Sequence, residues 1–162
     1  MILLRLSAPI LAAMLATAAF AYEPIITPPG EGMKIKPPGG SIEVLATRES
    51  TDGQLGIIAL DLTPGNGPGP AIVHHWQSET WYLVEGEVEF HVGDKSWVGG
   101  PGTFVSVDAG TPHGFISKTD GKLLVIFQPG GYEQFFIEWD KTQVPPGPES
   151  GMLENKYGVT RP

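Results

Sequence analysis

The chain of 162 residues combines 22 glycines and 16 prolines with a hydrophobic fraction of 41%, a charged fraction of 17% and a formal net charge of −8. Disordered chains are usually poor in hydrophobic residues and rich in charge, so this composition indicates one folded domain of short strands and many turns. The absence of cysteine excludes disulfide scaffolds, thiol nucleophiles and cysteine-ligated metal sites. The acidic balance argues against a nucleic-acid partner, because phosphate binding needs a surplus of Lys and Arg.

The N-terminal segment has the pattern of a secretory signal peptide. A short basic start at 1–5 precedes an apolar stretch at 6–20, and the small residues Ala19 and Ala21 precede a polar segment that begins at Tyr22. The apolar stretch is shorter than the ~20 residues that a membrane-spanning helix needs. We therefore expect cleavage after Ala21 and a secreted or periplasmic protein that, once cleaved, is free of the membrane.

Strand-like segments recur at short intervals through the middle of the chain. A Pro/Gly-rich irregular arm is predicted at 22–41 and a poorly ordered Pro/Gly-rich tail at 141–162, so that the folded domain occupies 42–140. Within it, β-branched and aromatic residues mark nine predicted strands separated by turns. The predicted strands are 42–47, 55–62, 71–75, 80–84, 87–92, 95–98, 103–107, 113–117 and 123–127. Strands this short and this closely spaced predict an all-β fold, either a barrel or a sandwich.

One segment changes from strand spacing to helical spacing. Tyr132, Phe135, Phe136 and Trp139 recur at the intervals of a single helix face. Segment 132–140 is therefore predicted to form one short C-terminal helix that packs an aromatic stripe against the β domain.

Residues able to carry chemistry concentrate in two segments. His74 and His75 stand shortly before Glu79 in the first segment, and His113 follows a tight turn that ends in proline in the second. Imidazole together with carboxylate suits divalent iron, manganese, nickel, copper or zinc, and such a set can leave positions open for substrate or O₂. Spacing alone does not bring these side chains together, and exposed loop histidines are the alternative interpretation of the first segment.

The two segments resemble the two motifs of the cupin superfamily, whose members are small antiparallel β-barrels with an internal metal. The first cupin motif ends in Glu, six residues and Gly, which Glu79 and Gly86 match, and the second contains Gly-x-x-His, which Gly110 and His113 match. Segment 130–136 also resembles the segment after the barrel in single-domain, quercetin-dioxygenase-like cupins. The resemblance implies a cupin-type, jelly-roll-like antiparallel β-barrel that holds a divalent transition metal.

The chain departs from the family pattern at the His-x-His pair of the first motif. With the four-residue spacing of the dioxygenase-like members, the second histidine is His74 and the first falls on Ile72. Strand alternation then turns Ile72 and His74 inward and His75 outward. The resemblance thus implies the metal ligands His74, Glu79 and His113. A small bulge that turned His75 inward would make it the alternate ligand.

Four apolar residues are predicted to line a substrate pocket, because they share strand parity with the candidate ligands. They are Ile72, Trp81, Leu83 and Phe115. Core packing is the alternative role for each of them, since such side chains usually fill a small barrel.

The resemblance implies two functions of different class. The first is an exported metal-binding cupin, a dioxygenase-type oxidoreductase of a small aromatic or enolic substrate, with Glu79 as a catalytic residue that can also act as a base. The second, motivated by the missing first histidine, is a non-catalytic cupin that binds a small ligand or serves a structural role through a weakened metal site. The resemblance also implies a homodimer in which residues 22–45 cover the neighbouring barrel.

Overall fold

Strands dominate the structure, a computed structural model that describes residues 24–38 and 40–162. The predicted signal peptide lies outside these residues. The strands are β1 Met33–Ile35, β2 Ile42–Ala46, β3 Gly56–Leu62, β4 Gly69–His74, β5 Ser78–Glu85, β6 Val88–Val92, β7 Lys95–Gly99, β8 Phe104–Val107, β9 His113–Ser117, β10 Gly121–Gln128 and β11 Val159–Thr160. The helices are α1 Glu133–Thr142 and α2 Pro148–Lys156. Neither helix in this described part of the chain is long and apolar enough to cross a membrane.

Two antiparallel sheets enclose one core. The larger sheet has the strand order β1-β2-β3-β10-β5-β8 and the smaller one β11-β4-β9-β6-β7. The prediction of an all-β antiparallel fold is confirmed. Strands β4 and β9, which carry the candidate histidines, lie side by side in the smaller sheet, whereas β5, which carries Glu79, belongs to the larger sheet.

Strand alternation builds much of the core. In β6, Val88 and Phe90 are fully buried, while Glu89 and His91 on the opposite face are partly exposed. In β5, Trp81 alternates in the same way with the exposed Tyr82. Each fully buried side chain of this size contributes roughly 1.5–3 kcal/mol relative to exposure, so alternation also determines the register of the strands.

Helix α1 covers the core with the aromatic stripe that its spacing predicts. Tyr132 and Phe135 are buried, and Phe136 and Trp139 pack partly buried against the same cluster. The rings of Phe135 and Trp139 lie 5.3 Å apart between centroids, one helical turn from each other. The prediction of a helix at 132–140 is confirmed, with bounds shifted by one or two residues.

The prediction of a poorly ordered tail at 141–162 is wrong, because this segment contains α2 and β11. Pro148 stands in the first turn of α2, where its missing N–H costs nothing. The backbone N–H of Gly147 donates to Ser150 Oγ at 2.9 Å, which caps the helix. Proline and glycine, interpreted as signs of irregular chain, here begin a helix.

Strand β11 joins the smaller sheet beside the strand that carries His74. Gly158, at φ +78°, turns the chain out of α2, and a Cβ at this position would meet the ring of Trp76 at 2.5 Å. Val159 then pairs with His74 and is completely buried. In the arm predicted as irregular at 22–41, strand β1 similarly pairs with β2.

Candidate metal centre

Three buried side chains from three strands converge at one point inside the barrel. His74 ends β4, Glu79 lies in β5 and His113 begins β9. One nitrogen from each histidine and one oxygen of Glu79 lie within 4.8 Å of one another. Within residues 24–38 and 40–162, this is the one group of three or more histidine, aspartate and glutamate side chains with such geometry.

Glu79 is the centre of the cluster. Its Oε2 lies 2.9 Å from His113 Nε2 and 3.1 Å from His74 Nε2. Its Oε1 accepts a hydrogen bond of 2.7 Å from the indole Nε1 of Trp81, two residues along the same strand face. Each carboxylate oxygen of Glu79 therefore has a polar neighbour that holds it in place.

The two histidines differ in how they are supported. His113 Nδ1 lies 2.6 Å from the carbonyl oxygen of Thr111, to which it donates, so that Nε2 is the nitrogen available to a metal. His74 is completely buried, and neither ring nitrogen has a hydrogen-bond partner, since its 3.1 Å approach to Glu79 lacks the orientation of a hydrogen bond. A buried polar atom without a partner is costly. A metal bound by His74 Nε2, Glu79 and His113 would remove part of that cost, so these residues fit a divalent transition metal.

The electrostatics of the cluster favour an ionised Glu79. Burial alone would raise the pKa of this carboxyl, but the charge of His74 and the hydrogen bond and charge of His113 outweigh burial and hold the pKa well below its usual range. For His113, burial lowers the pKa, whereas the hydrogen bond and charge of Glu79 raise it, and the net result is a raised pKa. A carboxylate with two imidazoles is the form of these groups that binds metal.

The structure resolves the register of the first histidine segment. His74 points inward, whereas His75 is exposed and its Nε2 lies 2.9 Å from Thr160 Oγ1. No bulge turns His75 toward the cluster, so its use as the alternate ligand is not supported by this geometry. Ile72, where the cupin pattern has the first histidine, is buried on the same face as His74.

A cavity of about 150 Å³ adjoins the cluster. Ile72 and Phe115 line it together with Glu79, as the pocket prediction requires. Trp81 and Leu83 are completely buried and do not line it, which corrects the prediction that they form its walls. Trp81 stacks on Phe90 at 5.6 Å and donates to Glu79, so its inward face packs the core.

Several cavity residues were not predicted from the sequence, among them the polar residues Tyr132, Glu154 and Arg161. Tyr132 lies with its ring 4.3 Å from that of His74, edge to face, and Glu154 and Arg161 come from the segment predicted as a disordered tail. Burial, followed by the charges of Glu154 and Glu79, raises the pKa of Tyr132 well above its usual value, so this phenol stays neutral. The helical spacing of Tyr132 was a usable signal, but nothing in the local sequence around Arg161 points to a cavity.

The fold and the site together define the class of this protein. It is a small antiparallel barrel of two sheets with an internal His-Glu-His cluster. The cupin domain model matches residues 60–129, which include all three cluster residues. Residues 60–129 of this chain are therefore a cupin domain.

Similar proteins agree with this assignment. Quercetin 2,3-dioxygenase of Bacillus subtilis is 28% identical over 118 residues, which are 70% of this chain and 34% of that protein, so the chain spans about a third of the curated relative. An RmlC-like cupin from Shewanella frigidimarina superposes with a TM-score of 0.55 at 23% identity, over 65% of this chain and 91% of that chain. KdgF from a Halomonas species superposes with a TM-score of 0.51 at 18% identity, over 58% and 82%. The structural similarities support the fold.

Proposed function

We propose that this chain is a metal-binding cupin that acts as a dioxygenase-type oxidoreductase on a small aromatic or enolic substrate. The observation that carries the proposal is the convergence of His74, Glu79 and His113 beside a mostly apolar cavity, which Glu79 also lines. The similarity to a quercetin dioxygenase supports the reaction class. The metal is one of divalent iron, manganese, nickel, copper or zinc, since imidazole and carboxylate suit all of them.

The residues of the chain have separate tasks in this proposal. His74, Glu79 and His113 would hold the metal, and a bound ion would supply Lewis-acid polarisation and, if redox-active, electron exchange with O₂. Glu79 is the cluster residue that also lines the cavity. Because the pKa of its carboxyl is held well below its usual range, it would accept the proton of a substrate hydroxyl only when it is loosely bound to the metal. The apolar walls exclude water, which strengthens every electrostatic interaction inside.

Metal analysis of the untagged protein tests the proposal. We expect close to one metal per chain after reconstitution with one of the five ions, followed by O₂ consumption with a catechol or enol substrate. His74→Ala should abolish metal binding, and the matched variant His75→Ala should not, because His75 faces the surface. A metal content below about 0.1 per chain after reconstitution would contradict the proposal.

A non-catalytic cupin is the second candidate, and one observation favours it. Ile72 occupies the place of the first cupin histidine, so three ligands remain of the four in the family pattern. Metal or small-molecule binding without any O₂ consumption across single-ring phenols and enols would select this candidate over the dioxygenase.

We also propose that the protein is exported. The basic start, apolar stretch and Ala-x-Ala pattern of the N-terminal segment support the proposal. N-terminal sequencing of protein made in its secreting host should give Tyr22 as the first residue. An intact Met1 on protein confined to the cytoplasmic fraction would contradict it.

A homodimer is the proposed assembly. Tyr82 and Phe104 pair across β5 and β8 on the outer face of the larger sheet and are 44% and 65% exposed, so together they offer an apolar surface to a second copy. Light scattering should give twice the chain mass, and Phe104→Asp should lower it to one chain. A monomeric wild-type protein would overturn the proposal.

A further inference from the structure

The size of the cavity limits what it can hold. A volume of about 150 Å³ is small beside pockets for drug-sized ligands, which run from about 300 to about 1,000 Å³. An apolar protein cavity of ~150 Å³ has room for one benzene molecule. One ring fills this volume, so a flavonol such as quercetin, with a phenyl group on a fused bicyclic system, cannot lie entirely inside it.

The walls favour a flat apolar ring. Phe127, Phe135, Phe136 and Trp139 contribute aromatic surface, and Ile58 and Val125 contribute aliphatic surface. The aromatic residues are held against each other, with Phe127 and Phe136 at 6.5 Å between ring centroids. Stacked and edge-to-face arrangements of this kind suit a planar ligand.

Few charged side chains line the cavity, and they include both signs of charge. Among the described residues that line the cavity, Arg161 is the one cation, and Asp61, Glu79 and Glu154 are the acids. The side chain of Glu154 is 8% exposed and that of Arg161 is 49% exposed, so the arginine lies where the cavity reaches solvent.

Arg161 is fixed in position and keeps free donors. Its Nε donates to Glu154 Oε2 at 2.9 Å, its Nη2 to Glu154 Oε1 at 2.6 Å, and its Nη1 to the carbonyl oxygen of Pro68 at 2.7 Å. A guanidinium has five N–H donors in a rigid fork, so one N–H on each terminal nitrogen remains for a ligand oxygen. Because Glu154 holds the fork in place, little side-chain entropy is lost on binding.

We infer that the cavity selects single-ring aromatic or small enolic acids, and that Arg161, positioned by Glu154, recognises their carboxylate or enolate oxygen. The reacting group of the substrate is taken from the proposed function, on which the inference rests to that extent. The size and charge of the ligand are inferred from the cavity alone. Arg161 is thus assigned a role in specificity.

Calorimetric titration of the metal-free protein with benzoate tests the inference. We expect one benzoate per chain, and Arg161→Gln should weaken its binding by about tenfold to a hundredfold, as for the loss of a charge-assisted hydrogen bond. Binding of benzamide, the neutral analogue, should change much less. Lys95→Gln, which removes an exposed cation outside the cavity, should leave both affinities unchanged.

A second variant separates recognition from folding. Arg161→Gln leaves the buried carboxylate of Glu154 without its partner, so Glu154→Gln/Arg161→Gln removes both charges together. The double variant should fold and show the same selective loss for benzoate.

Three results would overturn the inference: no benzoate binding, equal binding of benzoate to wild type and both variants, or quercetin binding as tightly as benzoate at one per chain. These titrations measure benzoate binding to the metal-free protein. Benzoate can therefore bind selectively even if metal uptake fails, and metal can bind even if benzoate does not.

Discussion

Glu79 is the residue on which the candidate site depends, because three side chains hold it at once. The imidazoles of His74 and His113 share Oε2, and the indole of Trp81 donates to Oε1. Burial of an ionised carboxylate without such partners would be strongly unfavourable. At the scale of single residues, Trp81 therefore orients the candidate metal ligand Glu79, although strand parity predicts Trp81 as a pocket wall.

Substitution of Trp81 tests this orienting role. Trp81→Phe keeps an aromatic ring in the core but removes the hydrogen bond to Glu79 Oε1. We expect metal affinity to fall by about tenfold to a hundredfold, as is typical when a group that orients a metal ligand is lost. Competition with a chelator of known affinity measures the change.

The control for that measurement is Trp97→Phe, because Trp97 is 38% exposed and does not contact the cluster. Should Trp81→Phe bind metal as tightly as Trp97→Phe, the orienting role would be wrong.

The pH dependence of metal binding follows from His113. The pKa of this imidazole is raised above its usual value, because the hydrogen bond and charge of Glu79 outweigh the effect of burial. A proton on His113 must leave before a metal binds, so we expect affinity to rise with pH through the pKa of His113 and then level off. In the metal-free protein, the stabilisation of the fold by the His113–Glu79 contact changes with pH in the opposite direction. Because the pKa of His113 is raised by folding, this stabilisation is fully present below about pH 6.5 and is lost as the pH rises through the folded pKa.

Calorimetric titrations with Zn²⁺ between about pH 5 and about pH 8, in two buffers of different ionisation enthalpy, give both the affinity and the protons released. An affinity that does not change over this range would contradict the prediction.

Secondary-structure elements were predictable where their burial pattern is local. All nine strands predicted between 42 and 127 are present, and several of them bury alternate residues, as Val88 and Phe90 show in β6. Strand alternation also predicted that the side chain of His74 points inward, and His74 is buried. Strand β11 was not predictable, since its two residues pair with β4, more than eighty positions away in the chain, and only that pairing buries Val159.

The contribution of β11 to stability is measurable at Val159. Val159→Ala removes two buried methyl groups beside His74, and we expect the free energy of unfolding to fall by about 2 kcal/mol. Urea unfolding followed by circular dichroism gives the change. Thr160→Ala, which loses one exposed contact to His75, is the matched control and should lose less than 1 kcal/mol, as is usual at the surface. Equal small losses in both variants would show that β11 adds nothing to the fold.

The contact between the two helices has its own pH dependence. The hydroxyl of Tyr157, which follows α2, donates to Glu138 of α1. Burial, then the hydrogen bond and charge of Glu138, raise the pKa of Tyr157 to about 12. Because the folded pKa lies above the ordinary value of about 10, the contact should stabilise the fold fully below about pH 10 and lose that contribution as the pH rises through about 12.

The measurement is tyrosinate absorbance during a pH titration, with the Tyr157→Phe protein subtracted. A difference curve with its midpoint near 10 would show that the contact is absent in solution.

At the scale of the whole molecule, the cluster lies between the two sheets. His74 and His113 belong to the smaller sheet and Glu79 to the larger one. A metal on these three residues would therefore link the sheets across the core, and it would do so beside the cavity that α1 and the C-terminal segment cover. Metal binding and global stability are consequently coupled in this arrangement.

Thermal unfolding with and without metal tests this coupling. A ligand that binds only the folded state at a concentration of 100 Kd stabilises it by about 2.7 kcal/mol, which for a domain of this size raises Tm by roughly 5–10 °C. We expect that rise for the wild-type protein, and a return to the metal-free Tm when a chelator is added. His113→Ala should show no rise, because it removes a ligand of the smaller sheet. His91→Ala, in the same sheet but outside the cluster, should show the full rise. If His113→Ala were stabilised as much as His91→Ala, the metal would bind elsewhere, and the cluster would not link the sheets.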